Sequence, residues 1–376
     1  MYINGVGRTK FGILSKSLVE LTYEAMFNAI EDSPFAISDI DAIYVSNFLG
    51  GPLNGQLHFN SIIASLLPSI NIPIIRIETA CASSSVAFNQ ALNSLKKMPN
   101  IMIIGVEKMT GTKLMSPTDA IAMAGDHEND FEQGLIFPAA YALIAQQYMQ
   151  KYGVTHDILE LVSYINHVNA NRNPLAHFYH KEVTREMIKN SQMVASPLNL
   201  FDCSPLSDGA VAIIISDKKH ADRDIRILSS RIATDTISLT QRADMTSFLA
   251  TKIAGAQAFK DAGITPKKID VVEVHDCFTI SELLALEDLG FCAPGESSTM
   301  IENGDILLDG ALPVNPDGGL KANGHPIGAT GLAQIFEIVA QLRLEAGSRQ
   351  VADPEIGLTQ NIGGIGGTCG ITILGK

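Results

Sequence analysis

Three residues able to move protons follow directly on a short β-branched run in Asp270-Val271-Val272-Glu273-Val274-His275-Asp276-Cys277-Phe278. The run has strand composition, and ligands collect at the carboxyl ends of strands in layered α/β folds. A His and a Cys one residue apart can serve as base, acid or nucleophile. Two further segments could complete such a site. Cys81 lies where Ile72–Thr79, a strand pattern, meets Ala80-Cys81-Ala82-Ser83-Ser84-Ser85 at a helix start. A thiol there feels the positive end of the helix and free backbone N–H groups, which lower its pKa and favour the nucleophilic thiolate. The plain alternative is a small buried hydrophobe. His325 sits in Gly318-Gly319-Leu320-Lys321-Ala322-Asn323-Gly324-His325-Pro326-Ile327-Gly328, a glycine-rich loop that fixes the ring and suits a base activating the Cys81 thiol. The tail Asn361-Ile362-Gly363-Gly364-Ile365-Gly366-Gly367 lacks the Lys-Ser/Thr of a phosphate loop. Its N–H groups suit a developing oxyanion, with tight packing between two halves as the bland alternative.

These residues need a scaffold that brings distant segments together, and an internal repeat supplies one. Shifted by 229 positions, Thr22–Val45 matches Thr251–Val274, with identities at Ala25/Ala254, Ala29/Ala258, Asp32/Asp261, Ile40/Ile269 and Asp41/Asp270. Each copy reads as amphipathic helix, turn and strand. The helical patterns opened by Ser83–Ser85 and by Gly328–Gly331 form a looser second pair. The prediction is two similar α/β halves about a pseudo-twofold. The segment 111–196 has no counterpart and reads as an inserted, mostly helical lobe. Residues 1–110, completed by 197–222, then form the first half, and 223–376 the second.

Composition narrows the function classes. Charged residues are 18% and hydrophobic ones 46% of 376 residues, values of a compact globular chain rather than a disordered one. A net charge of −13 argues against nucleic acid as a partner. The apolar stretches are short, so no membrane span is expected, and the N-terminus lacks the pattern of a signal peptide. Five scattered cysteines without a CxxC pair point to a reducing cytoplasm and away from structural zinc. His177 and His180 lack matching ligands and read as solvent-facing.

Four motifs in order carry a family resemblance over the whole length: Ala80-Cys81-Ala82-Ser83, Cys203-Ser204-Pro205-Leu206-Ser207-Asp208-Gly209-Ala210, His275-Asp276-Cys277-Phe278 and Asn323-Gly324-His325-Pro326. The chain resembles a thiolase, and its His-Asp-Cys-Phe element is that of the sterol-carrier-protein-2-type and archaeal subgroup. The resemblance implies a duplicated five-layered αβαβα fold with an inserted loop domain. It implies an acetyl-CoA C-acetyltransferase that condenses two acetyl-CoA into acetoacetyl-CoA and CoA. Cys81 is then the acylated nucleophile, His325 its base, Cys277 the second catalytic thiol and His275 an enolate donor. The backbone N–H groups of Cys81 and Gly366 form an oxyanion hole. His167 and Asn323 are expected near substrate, His167 with an equal claim to helix packing.

One departure from the wider family stands out. Where most thiolases place a second Cys in a C-terminal Cys-x-Gly motif, the glycine alignment puts Gly364, which assigns that role to Cys277 and leaves Cys369 structural. No metal or other cofactor is implied. The resemblance further implies a homodimer or homotetramer, and partnership with HMG-CoA synthase and a small zinc-ribbon/OB-fold protein at the start of isoprenoid synthesis. Degradation of longer 3-ketoacyl-CoA, or non-catalytic binding of acyl-CoA or lipid, are the rival readings.

Overall fold

The computed structural model describes residues 1–376. Nine strands form one sheet: β1 (Tyr2–Arg8), β2 (Ala42–Ser46), β3 (Ile74–Ile77), β4 (Asn100–Glu107), β5 (Gly209–Ser216), β6 (Ile225–Thr234), β7 (Val271–Glu273), β8 (Ile356–Gly363) and β9 (Thr368–Gly375). Their spatial order is β3-β2-β4-β5-β1-β6-β9-β8-β7. Runs such as Ile101–Ile104 and Val211–Ile215 are buried throughout, as strands covered on both faces must be.

The order exposes the duplication. In each half a parallel pair (β2 with β4, β7 with β8) is followed, towards the middle of the sheet, by an antiparallel pair (β4 with β5, β8 with β9). The matched helices are α1 (Leu18–Glu31) and α5 (Leu249–Ala262), after α2 (Ser83–Ser94), α3 (Phe137–Tyr152) and α4 (His156–Ala170) in the chain. Helix α1 starts with a capping box in which Ser17 accepts from the Glu20 N–H at 3.2 Å and Glu20 accepts from the Ser17 N–H at 2.8 Å. It then buries Leu18, Leu21, Thr22, Ala25, Met26 and Ala29, one helical stripe, against the sheet. The partner of β3 in the second half has shrunk to a single bridge between Val272 and Val314. The halves are continuous, because β1 pairs with β6 through Tyr2–Arg226 and Ile3–Ile225.

Helix α2 and, after α6 (Thr279–Asp288), helix α7 (Thr330–Leu342) each touch strands of both halves and each other. They form the middle layer, α1 and α5 the outer ones, and the two half-sheets lie between. That is the expected five-layer α/β architecture. Ala87, Phe88, Leu332, Ile335 and Ile338 of the middle helices join Ile101, Ile213, Val271 and Leu374 in one core. The inserted lobe runs between β4 and β5 and carries α3, α4 and shorter helices. A small hairpin, Met193–Ala195 with Leu198–Asn199, straddles its expected end at residue 196. No helix is long and apolar enough to cross a membrane.

Gly105 in β4 shows how tightly the layers close. A Cβ there would stand 2.7 Å from the Gly328 carbonyl oxygen and 2.8 Å from the Ala329 Cα, in the loop that carries His325. Gly105→Ala must push that loop away, and we expect it to cost about 1–3 kcal/mol. An unaltered midpoint in thermal unfolding would refute the steric argument.

Candidate active site

Three segments meet at one apolar cavity of about 190 Å³. Cys81, Cys277 and His325 line it together with Met109, Ile121 and Phe137. Each segment reaches it for a local reason. The chain turns sharply after β3, with Ala80 at φ 52°, and delivers Cys81 just before the helix opened by Ser83. His275 and Cys277 follow β7. The Asp276 carboxylate between them accepts from the N–H groups of Leu320 (2.7 Å) and Lys321 (3.2 Å) and from Asn166 Nδ2 (2.9 Å). It thereby clamps the β7 end to the His325 loop and to α4 of the lobe. The turn between β8 and β9 supplies Gly364, whose φ of 62° favours glycine.

The sulfur of Cys81 and a ring nitrogen from each of His275 and His325 lie within 4.8 Å of one another. The two rings stand edge to face, 5.2 Å between centroids. Their outer hydrogen bonds assign opposite tautomers. Thr330 Oγ1 gives its proton to the Pro326 carbonyl (3.1 Å), so at 2.7 Å it accepts from His325 Nδ1–H. His325 Nε2 then carries a free lone pair, on a ring with a nitrogen within 4.8 Å of the Cys81 sulfur. Asn361 Nδ2 donates to His275 Nδ1 at 3.0 Å, so His275 carries its proton on Nε2, a buried atom without a protein partner. One histidine is arranged as acceptor, the other as donor.

Burial sets the charges. It pushes the Cys81 thiol up to about 12, against the opposing N–H groups of Gly364 and of Cys81 itself. Burial lowers His325 to about 3, and it drives His275 well below 6.5 with His325 adding to the effect. It also raises the Cys277 thiol well above 9, the nearby Cys81 sulfur adding to it. The expectation of a lowered Cys81 pKa is therefore corrected. Desolvation outweighs the helix end, and the resting pair is a neutral thiol beside a neutral imidazole. Alkylation of Cys81 by iodoacetamide should then rise about tenfold per pH unit between pH 6 and 9. A plateau from pH 6 upward would indicate a preformed thiolate–imidazolium pair instead.

Other expected residues land elsewhere. The Gly366 N–H is used inside the turn, donating to the Gly363 carbonyl at 3.2 Å, and Gly366 packs on Phe248. The backbone N–H that faces the Cys81 sulfur is that of Gly364 instead. His167 is fully buried between Phe178 and Phe201, 4.5 and 5.3 Å between centroids, away from the cavity, so packing wins for it. Asn323 accepts from Arg8 Nη2 at 3.1 Å and donates to Asp317, a buried brace behind the loop rather than a cavity residue. Cys369 is buried in β9, where its sulfur accepts from Thr251 Oγ1 at 3.5 Å. His177 is half-buried and bonded to Ser207 at 2.9 Å rather than solvent-facing.

Tyr141 of α3 was not legible in the sequence, sitting in an ordinary helical stripe. Its hydroxyl donates to the Gly364 carbonyl at 3.1 Å and lies against the Cys277 thiol, while its ring stacks on Phe278 at 4.4 Å. It ties the lobe to both cysteine sites. Thr330 and Asn361 also went unrecognised, since only the fold brings them to the histidine rings.

Comparison with known proteins identifies the family of the chain. Residues 1–219 match the family model of the thiolase N-terminal domain, and residues 232–376 that of the thiolase C-terminal domain. The chain is 47% identical to acetyl-CoA acetyltransferase of Methanothermobacter thermautotrophicus, covering 99% of this chain and 98% of that one. It is 31% identical to human sterol carrier protein 2, over 99% of this chain and 71% of the relative. Among solved structures, an Ltp2–ChsH2(DUF35) aldolase superposes with a TM-score of 0.86 at 25% identity, covering 100% of this chain and 97% of that one.

Proposed function

This chain belongs to the thiolase family of acyltransferases, and from that premise we propose that it is an acetyl-CoA C-acetyltransferase working through an acetyl-Cys81 intermediate. The observation that carries the proposal is the convergence of Cys81, Cys277 and His325 on one small cavity, with His275 directly behind.

The protons balance through both half-reactions. His325 Nε2 takes the Cys81 proton as sulfur attacks the first acetyl-CoA, and the Cys81 and Gly364 N–H groups hold the oxyanion. On collapse, CoA leaves and takes the proton of Cys277, which becomes a thiolate. That thiolate removes a methyl proton from a second acetyl-CoA. Burial makes it a strong base, as so weak an acid requires. The enolate oxygen is held by His275 Nε2–H and by His325, now protonated. The enolate attacks acetyl-Cys81, acetoacetyl-CoA forms, and the released Cys81 recovers its proton from His325. The carbonyl carbon of the acetyl group goes from one sulfur to the other and then to carbon, with no oxidant or reductant needed.

The apolar cavity, walled by Met109, Ile121, Phe137, Leu206 and Ile327, supports a short acyl group. The decisive experiment is thiolysis of 3-ketoacyl-CoA of increasing chain length. Acetoacetyl-CoA should have the highest kcat/KM, with each added methylene costing about tenfold or more. A preference for long chains would establish the degradative reading. Thiolysis is thermodynamically favoured, so a synthetic role needs a reaction that consumes acetoacetyl-CoA. In our reading HMG-CoA synthase supplies it, for isoprenoid synthesis in the cytoplasm, with the thiolase a homodimer or homotetramer. A small zinc-ribbon/OB-fold partner belongs to the same reading. The neighbouring solved aldolase, which pairs its thiolase-fold chain with a DUF35 component, lends support to a second protein.

That likeness also motivates a second reading, cleavage of a β-hydroxyacyl-CoA to a carbonyl compound. Such cleavage needs a base but no acylated thiol. Turnover of a β-hydroxyacyl-CoA that survives Cys81→Ala would favour it.

A further inference from the structure

We propose that Cys81, His275 and His325 form a binding site for a thiophilic divalent cation, Zn²⁺ by its chemistry, and that the bound cation excludes the acyl donor. The metal site rests on these three donors alone, and the exclusion of the acyl donor rests on the reaction proposed above. It also departs from the sequence reading, which implied no metal.

The three donor atoms lie within 4.8 Å of one another and all are buried. One sulfur and two imidazoles at tetrahedral Zn²⁺, with bonds of about 2.3 and 2.0–2.1 Å, stand roughly 3.3–3.6 Å apart. The set must therefore contract by about 1 Å or slightly more, within reach of small side-chain rotations. The second observation is His275 Nε2, fully buried and without any protein partner. It is an orphan polar atom on a ring that has a nitrogen within 4.8 Å of the other two donors.

Ligation requires a lone pair on Nε2 of both rings. His325 has one already, because Thr330 holds its proton on Nδ1. His275 holds its proton on Nε2 while Asn361 donates to Nδ1. The Asn361 carbonyl oxygen is itself buried without a partner. Turning that amide over presents the oxygen to Nδ1, which takes the proton and frees Nε2. The turn pairs the oxygen in place of Nδ2, whose one hydrogen bond is the one to His275. Both histidines then have the outer hydrogen bond to Nδ1 that orients metal-bound imidazoles.

The balance is simple. The cation replaces the Cys81 thiol proton, one proton is released, and both histidines bind as neutral rings. The fourth position faces the cavity, where water or the Cys277 sulfur can fill it. The Glu107 and Glu78 carboxylates act on the Cys81 sulfur through their charge and add a field that favours a cation. Sulfur and imidazole select Zn²⁺ or Cd²⁺ over Mg²⁺ and Ca²⁺. With Cys81 bound to metal, no nucleophile remains for a thioester.

The test uses the full chain, freed of metal by a chelator and titrated with Cd²⁺, whose bond to a thiolate gives an ultraviolet charge-transfer band. One equivalent should produce the band, and Zn²⁺ should displace it. Cys81→Ala should abolish it, and Asn361→Leu should weaken binding about 10–100-fold. Cys292→Ser, a cysteine outside the cavity, should leave it intact. Prior acetylation of Cys81 by acetyl-CoA should block it. Circular dichroism establishes that each variant is folded, and Cys81→Ser replaces the Ala variant if that one is not. A band that survives loss of the Cys81 sulfur, or no band in the parent protein, overturns the site. Because binding is read without turnover, an inactive but metal-binding protein would reject only the proposed reaction.

Discussion

Cys81→Ala should lower acetoacetyl-CoA thiolysis by about 10⁴-fold or more, with no acyl group left on the protein after incubation with acetyl-CoA. The size of the loss follows from the position of the sulfur. Cys81 lies beside His325 and facing the Gly364 N–H in an apolar pocket. In the proposed reaction His325, the oxyanion donors and the thiol act as one unit, so removing the thiol leaves the others nothing to activate. The fold should survive, because Ala at this position deletes one atom from a junction whose backbone is already set by Ala80 and the Ser83 helix start. Intact-protein mass spectrometry and circular dichroism check both halves of the statement. Retention of thiolysis within tenfold of the parent would remove Cys81 from the mechanism.

Cys277→Ala should separate the two half-reactions. The first needs only Cys81, His325 and the oxyanion donors, and CoA is a good enough leaving group to depart without an acid. The second needs a base at the methyl carbon. Cys277 shares the cavity wall with Cys81 and Cys203, and Tyr141 and Ser281 lie against its sulfur. We expect a loss of about 10³–10⁴-fold in steady-state turnover, with one equivalent of CoA released in a burst and one acetyl group accumulating on Cys81. Cys369→Ala is the matching control, since that sulfur is held by Thr251 within the strand layer and does not face the cavity. If Cys277→Ala turned over normally while Cys369→Ala did not, the two thiols would have to exchange roles.

The two variants probe a site whose parts differ in how visible they are along the chain. Cys81, His275, Cys277 and His325 each sit inside a short motif with its own local cause: a strand-to-helix turn, a strand end, a glycine-rich loop. The repeat between Thr22–Val45 and Thr251–Val274 likewise carried helix, turn and strand in each copy. Local signals of this kind survive in one dimension. The Gly366 assignment failed because a run of glycines is nearly uniform in sequence, and only the turn geometry selects Gly364. His167 stayed evenly balanced because a histidine on a helix looks the same whether its stripe faces a ligand or, as here, Phe178 and Phe201.

The sequence by itself determined that this chain is a duplicated α/β protein of the thiolase type with two candidate thiols and two candidate imidazoles. Those properties are written in motif order and in the period of buried residues, and both are local. Tertiary structure decided what each group can do. It gave the two histidines opposite tautomers through Thr330 and Asn361. It made Gly364 the donor beside Cys81 and brought Tyr141 from the inserted lobe to the second thiol. It also reversed the expected shift of Cys81, because a helix end lowers a thiol's pKa over one turn while burial by the whole fold raises it further. Such effects are sums over neighbours far apart in sequence, and they exist only once the chain has closed around the site.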